Sequence, residues 1–223
     1  MTFDLILKQV TISQLANMTP SSLNRFLSDK KYPELDTSSK SRKYYSYETS
    51  RAILRDLITS KRIPSNKIQV FFNFKGGTGK TSICYQVSCH MALMGYKVLV
   101  VDLDPQAHLS YACGINEGQD FPTLYDVVVN NFSINDTIKN IKEGLDIIPA
   151  NLSLTRLELP LNQLPNREKV FTKILNPLKD KYDFIFIDTN PTISTVNRNA
   201  TLAADVLNIV CETQPYSLKG LEE

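Results

Sequence analysis

A chain of 223 residues with 42% apolar content suits one large domain or two smaller ones, and its apolar runs of about five residues are too short to span a bilayer. Its four cysteines (Cys84, Cys89, Cys113, Cys211) are scattered and it has only two histidines, which argues for reduced thiols in a cytosolic setting and against a disulfide framework or zinc site. The net charge of +2 hides an asymmetry: residues 1–67 carry +6 and residues 68–223 carry −4, so a small basic module of the kind that meets a polyanion precedes a mildly acidic one.

The N-terminus, Met1-Thr2-Phe3-Asp4, has an early acid and no signal-peptide pattern. Residues 1–10 read as a short helix or arm, and Thr11–Ala16 as a short helix. Thr19-Pro20 is a helix start, a capping hydroxyl followed by proline in the first helical position. The second helix is expected over Pro20–Ser28, with Leu23, Phe26 and Leu27 on its packed face and Ser21, Ser22, Asn24 and Arg25 left outward. A basic stretch, Lys30 to Lys43, follows, and Ser46 is placed to cap a third helix over Tyr47–Thr59. Two short helices joined by a tight turn make a helix-turn-helix candidate. The layout resembles the winged helix-turn-helix of MerR-type regulators, with Arg42-Lys43-Tyr44-Tyr45 at the wing position. The plainer reading of the same residues is a three-helix structural or dimerisation module. The polar segment 60–67, with Pro64, is expected to link this domain (1–64) to the second (65–223).

The second domain opens with the strand Ile68–Phe72 and then Lys75-Gly76-Gly77-Thr78-Gly79-Lys80-Thr81-Ser82, which leads into a helix to Met94 closed by Gly95. Strand, glycine loop and helix form the context of a phosphate-binding P-loop. Glycines let backbone N–H groups turn inward on an anion, and the helix N-terminus adds partial positive charge. Lys80 is then expected at the terminal phosphates of a nucleotide, and the Thr81 hydroxyl on Mg²⁺. A second apolar strand, Lys97–Val101, ends at Asp102 and Asp104, which share a side if the chain stays extended. Helices are expected over 122–130, 134–141, 151–159, 167–181 (with Pro177 as a kink or early stop) and 195–204, and strands over 145–148, 184–187 and 206–210. Asp188 ends the Phe-Ile-Phe-Ile strand in the Walker B manner. Alternating strands and helices imply an α/β fold, a mostly parallel sheet with helices on both faces, in which ligands sit at the C-terminal strand ends. A hard dication between phosphates wants a hydroxyl, phosphate oxygens and carboxylate-held waters, which suits Thr81 and Asp188, and of Asp102 and Asp104 one could hold a metal-bound water while the other orients the attacking water.

Three motifs, Lys-Gly-Gly-Thr-Gly-Lys-Thr (75–81), Val-Asp-Leu-Asp-Pro-Gln (101–106) and Ile-Asp-Thr-Asn-Pro (187–191), resemble those of the ParA/MinD group of deviant Walker ATPases. Asp-Leu-Asp-Pro-Gln lies nearest the ParA branch, and Leu-Asp-Ile-Ile-Pro-Ala (145–150) and Tyr-Ser-Leu-Lys-Gly-Leu (216–221) extend the likeness from about residue 68 to the end. The resemblance implies an ATP hydrolase with ATP and Mg²⁺ as cofactors, which partitions plasmids or chromosomes. In that family Lys75's counterpart crosses a homodimer interface to the partner's phosphates and Asp104's positions the hydrolytic water, so the resemblance implies a catalytic set of Lys75, Lys80 and Asp104. Asp102's counterpart lies near Mg²⁺, and Asp188's is the Walker B acid. It also implies DNA binding, stimulation by a ParB-like centromere-binding partner, no membrane partner, a cytoplasmic location on nucleoid or plasmid and, given the N-terminal extension, repression of its own operon.

Two features depart from the family pattern. Asn190 replaces a proline after Walker B and should loosen that turn. The chain also stops at Glu223, short of the segments that carry adenine contacts and DNA-binding residues in the family, and reads as C-terminally truncated. The alternatives are a sequence-specific transcriptional regulator that uses nucleotide only as a ligand, and a MinD-like membrane-surface ATPase. An iron–sulfur relative is disfavoured by the cysteine spacing.

Overall fold

The structure, a computed structural model, describes residues 5–36, 42–58, 67–116 and 121–212. Residues 1–4, 37–41, 59–66, 117–120 and 213–223 lie outside the described residues, and with them the expected linker up to residue 66, Thr59 and the 216–221 segment. The chain divides into two compact units, residues 1–64 with 90–96 and residues 65–89 with 97–223.

In the first unit, β1 (Leu7–Lys8) runs directly into α1 (Gln9–Leu15), followed by α2 (Pro20–Asp29), β2 (Tyr44–Tyr45) and α3 (Tyr47–Ile58). The Thr19 hydroxyl accepts the Ser22 N–H at 3.2 Å with Pro20 first in the helix, so α2 starts where its cap and proline dictate. Ser46 caps α3 in the same way, accepting the Thr49 N–H at 3.2 Å. Residues 7 and 8 form a strand rather than the helix or arm expected there, because β1 pairs antiparallel with β2, Leu7 opposite Tyr45. Leu7, Ile12, Leu23, Tyr45, Ile53 and Leu54 meet in this unit's core.

The second unit runs β3 (Lys67–Phe72), α4 (Lys80–Leu93, whose last turn is counted with the first unit), β4 (Val98–Asp102), α5 (His108–Ala112), α6 (Leu124–Val129), α7 (Ile134–Thr137), β5 (Lys139–Lys142), β6 (Leu145–Ile148), α8 (Glu158–Gln163), α9 (Val170–Leu175), β7 (Phe184–Asp188), α10 (Thr195–Ala203) and β8 (Val206–Ile209). The sheet order is β5-β6-β4-β7-β3-β8, with β5 antiparallel and the remaining pairs parallel. The central strands β4 and β7 are buried along their whole length, as continuous apolar runs require.

Several expected elements are corrected. The helix expected over 134–141 is one turn, α7, followed by the edge strand β5. Gly144, at φ +82°, makes the turn into β6, and the Asn140 amide reaches Asp146 across the hairpin at 2.8 Å. The helix expected over 167–181 is α only from Val170 to Leu175, with 3-10 turns at 167–169 and 176–180. Pro177 has no N–H for the α ladder and stops it. The segment 151–159 is a 3-10 turn over Leu152–Arg156 before α8, and α5 was not foreseen at all.

Candidate functional site

Register places the site before any side chain is considered. In the parallel sheet, Phe71 of β3 and Asp102 of β4 both lie opposite Asp188 of β7. The loop after β3, the Asp102 end of β4 and the Asp188 end of β7 therefore converge at the C-terminal edge, where open parallel sheets bind ligands.

The loop reaches this edge through two left-handed glycines, Gly77 at φ +77° and Gly79 at φ +86°. No heavy atom lies within 4 Å of a Cβ built on either, so backbone conformation, not crowding, calls for glycine at these positions. Gly76 lies beside Pro191, and Thr78 is buried with its hydroxyl unpaired. Helix α4 begins at Lys80, so Lys80, Thr81 and Ser82 form its first turn, where N–H groups have no partner within the helix itself. Lys80 is 6% exposed, and its ammonium donates to the Lys75 carbonyl at 3.2 Å. Burial pulls its pKa down, against the charges of Asp188 and Asp104.

The three carboxylates differ in environment. Asp188 is fully buried and neither of its oxygens has a hydrogen-bond partner of normal geometry. Burial pushes its pKa to about 7; the nearby Thr81 hydroxyl and Lys80 oppose this, and Asp102 and Asp104 add to it. Asp102 is 1% exposed, but its oxygens are engaged. Oδ1 accepts the Asp104 N–H at 3.0 Å, and Oδ2 accepts the Ser110 N–H at 2.9 Å and hydroxyl at 2.7 Å. Burial raises Asp102 to about 6, and those hydrogen bonds hold it from rising further. Asp104 is half-buried in a turn, its Oδ1 accepting the Gln106 N–H at 2.9 Å. The extended chain that would set Asp102 and Asp104 side by side does not occur: β4 ends at Asp102, and the chain turns through Ala107 at φ +55°. Among the described residues no cluster of three His, Cys, Asp or Glu side chains forms a ready metal cage.

Lys75 is exposed. Its N–H donates to Asn73 Oδ1 at 2.9 Å and its ammonium pairs with Glu212 at 2.6 Å, while Asn73 Nδ2 donates to the Val210 carbonyl at 2.6 Å. After β7 the Thr189 hydroxyl donates to the Phe71 carbonyl at 2.8 Å. Asn190 does not leave its turn loose. Its Oδ1 accepts from the Thr192 hydroxyl at 2.7 Å and from Asn197 Nδ2 at 2.8 Å, and the same Asn197 amide donates to the Asn190 and Thr192 carbonyls. Side-chain hydrogen bonds replace the stiffness a proline would supply. Ser110, Asn197 and Glu212 were not found from sequence. Each acts through a contact that no local motif records.

In the first unit, Ser21, Ser22, Asn24 and Arg25 lie on the exposed side of α2, and Arg42 and Lys43 are exposed beside β2. The Ser21 and Ser22 hydroxyls bond Thr19 at 3.1 and 2.8 Å, Asn24 bonds Gln9, and Lys43 pairs with Glu34.

A glycine loop between strand and helix, with carboxylates at the neighbouring strand ends, defines a P-loop nucleotide-binding α/β protein. Residues 66–223 match the family described as the AAA domain, and the chain belongs to that family. Sporulation initiation inhibitor protein Soj of Bacillus subtilis is 34% identical over 158 residues, covering 70% of this chain and 62% of Soj. A protein provisionally named replication protein A in Sinorhizobium fredii is 33% identical over 250 aligned residues, covering 97% of this chain and 60% of that protein. A plasmid partition protein from Borrelia burgdorferi has a similar structure, with TM-score 0.64 and 28% identity over 71% of this chain and 70% of that one. Cobyrinic acid a,c-diamide synthase from Mycobacterium smegmatis, solved with an ATP analogue and magnesium, gives TM-score 0.64 and 25% identity over 70% and 66%. The fold is thus of the ParA type, and the chain spans about half to three fifths of the length of the curated relatives it matches.

Proposed function

We propose that the chain is a ParA-like partition ATPase, or the major part of one, working in the cytoplasm on nucleoid or plasmid DNA. ATP binding builds a homodimer through Lys75, the dimer holds DNA, and a ParB-like centromere-binding partner stimulates hydrolysis and release. The observation that carries this reading is the unpaired, buried carboxylate of Asp188, opposite the end of the glycine-loop strand. An orphaned buried carboxylate is costly unless a cation or a proton meets it. Together with the Thr81 hydroxyl it suits Mg²⁺, a hard cation that takes oxygen ligands and keeps its waters. The relatives named for plasmid partition and for Soj, and the neighbour holding an ATP analogue with magnesium, support the same assignment.

In this reading Gly76, Gly77, Thr78, Gly79 and Ser82 wrap the phosphates with backbone N–H groups. Lys80 neutralises the terminal phosphates from within the site, and Lys75 does so for the second copy's nucleotide. Asp104 orients water, and Asp102 stands behind it near the metal. Such catalysis needs positioning and charge neutralisation more than covalent chemistry. The domain of residues 1–64 presents Ser21, Ser22, Asn24, Arg25, Arg42 and Lys43 to DNA as a winged helix-turn-helix and represses the operon.

The second reading is a sequence-specific regulator for which nucleotide is only a ligand. It is favoured by the outward face of α2 and by the replication-protein match, which extends over the N-terminal residues. One experiment separates the two: retention of the protein on DNA with ATP, with ADP, and in Arg25→Ala and Lys75→Ala. The partition reading expects at least tenfold tighter retention with ATP, lost in Lys75→Ala. Equal retention with both nucleotides, lost only in Arg25→Ala, would favour the regulator.

A further inference from the structure

The loop that carries Asp104 is held by a side chain with no assigned role. Ser110 sits in the short helix α5, 1% exposed. A serine inside a helix commonly turns its hydroxyl back to the carbonyl four residues earlier. Here the hydroxyl donates instead to Asp102 Oδ2 at 2.7 Å, and the Ser110 N–H joins it at 2.9 Å. The same hydroxyl oxygen accepts the Ala150 N–H at 2.9 Å, just past the end of β6. The other Asp102 oxygen takes the Asp104 N–H at 3.0 Å. A continuous chain of hydrogen bonds thus runs from the backbone beyond β6, through Ser110 and Asp102, to the backbone of Asp104. On the opposite side the Leu103 N–H is tied to the Asp188 carbonyl at 3.0 Å. The turn closes through Ala107, a residue with a Cβ in the left-handed region, whose N–H donates to the Asp104 carbonyl at 2.8 Å. A non-glycine residue stays there only where its surroundings over-determine it.

We propose that Ser110 is the positioning residue for Asp104, acting through Asp102. This rests on the reading that Asp104 orients the hydrolytic water. Ser110 is 1% exposed and acts through Asp102, not on the nucleotide or the water itself. It fixes the Asp104 turn, and with it the Asp104 carboxylate. Catalytic groups need placement to about half an ångström, and about an ångström of drift costs about a hundredfold.

The test compares Ser110→Ala, Ser110→Thr and Ser110→Ala combined with Asp104→Asn, with three readouts. The first is ATP turnover against nucleotide affinity. Ser110→Ala should lower kcat at least tenfold with nucleotide Kd changed less than threefold, and Ser110→Thr, which keeps the hydroxyl, should restore kcat to within threefold. The second is coupling: in an Asp104→Asn background Ser110→Ala should cost nothing further, whereas a general structural role would slow both backgrounds alike. The third is amide hydrogen exchange in nucleotide-free protein. The Asp104 and Ala107 amides should lose protection in Ser110→Ala while those of β3 and β7 keep theirs. Unchanged protection at Asp104, additive losses in the double variant, or failure of threonine to rescue would each overturn the proposal. Absence of ATP hydrolysis in the unmodified protein would instead overturn the ATPase reading, and the exchange arm would still decide whether Ser110 holds the turn.

Discussion

At Asp188 one side chain ties the sequence to the stability of the fold. It ends a strand whose apolar run forces burial, and burial pushes its carboxyl to about 7, well above the ordinary carboxylate range. A carboxyl raised in the folded state contributes stability at low pH that is lost as pH rises through the folded value. The nucleotide-free protein should therefore lose stability between about pH 4 and pH 7, with Asp102, raised to about 6, adding in the same direction over the lower part of that window. Asp188→Asn removes the ionisation. In thermal denaturation without nucleotide or divalent cation, it should come close to the parent near pH 4 and exceed it near pH 8 by about 2–4 kcal/mol. A variant less stable than the parent at pH 8 would mean the carboxylate is better satisfied than its geometry indicates. The residues legible from sequence were those that motifs announce: Lys75, Lys80, Thr81, Asp102, Asp104 and Asp188. Ser110, Asn197 and Glu212 were not, because their partners lie 8, 7 and 137 residues away and are chosen by the fold.

At the scale of elements, start and stop signals proved more informative than periodicity. Thr19 and Ser46 cap the helices expected of them, and Thr123 and Asp126 form a reciprocal capping box at the start of α6. Periodicity failed at 134–141, where Ile134, Ile138 and Ile141 have helical spacing but Gly144 and the pairing with β6 draw the second half into an edge strand. Short apolar segments do not distinguish the two states on spacing alone. Gly95, expected as a helix-ending residue, has a second constraint. It sits at φ +96°, and an added Cβ would lie 2.6 Å from the Cβ and 2.8 Å from the Cα of Arg55 in α3. Gly95→Ala combines backbone strain with a clash against main-chain atoms, and should cost about 2–4 kcal/mol in chemical denaturation. A cost under about 0.5 kcal/mol would show that the first unit yields readily at this point.

At the scale of the molecule, the α/β class and the order of the strand-end motifs follow from alternating apolar runs and helices. The sheet order and the antiparallel edge strand required the pairing itself. The charge asymmetry, +6 over residues 1–67 and −4 over residues 68–223, makes the first part of the chain basic and the second acidic, as the proposed DNA contact by the first would require. The nucleotide loop of the second unit is half a site if Lys75 serves another copy. In the single chain Lys75 is paired with Glu212 at the surface, with side chains 51% and 31% exposed. An exposed pair of this kind is worth about 0.2–1 kcal/mol, so a nucleotide's phosphates can displace it. The most direct measurement is the sedimentation of the full chain with Mg²⁺ and a non-hydrolysable ATP analogue, with ADP, and without nucleotide, for the parent and for Lys75→Ala. A nucleotide-gated dimer requires the parent to shift to twice its mass with the ATP analogue only, while Lys75→Ala binds nucleotide yet stays monomeric. A parent that stays monomeric while bound to the analogue, or a Lys75→Ala variant that dimerises as well as the parent, would contradict it.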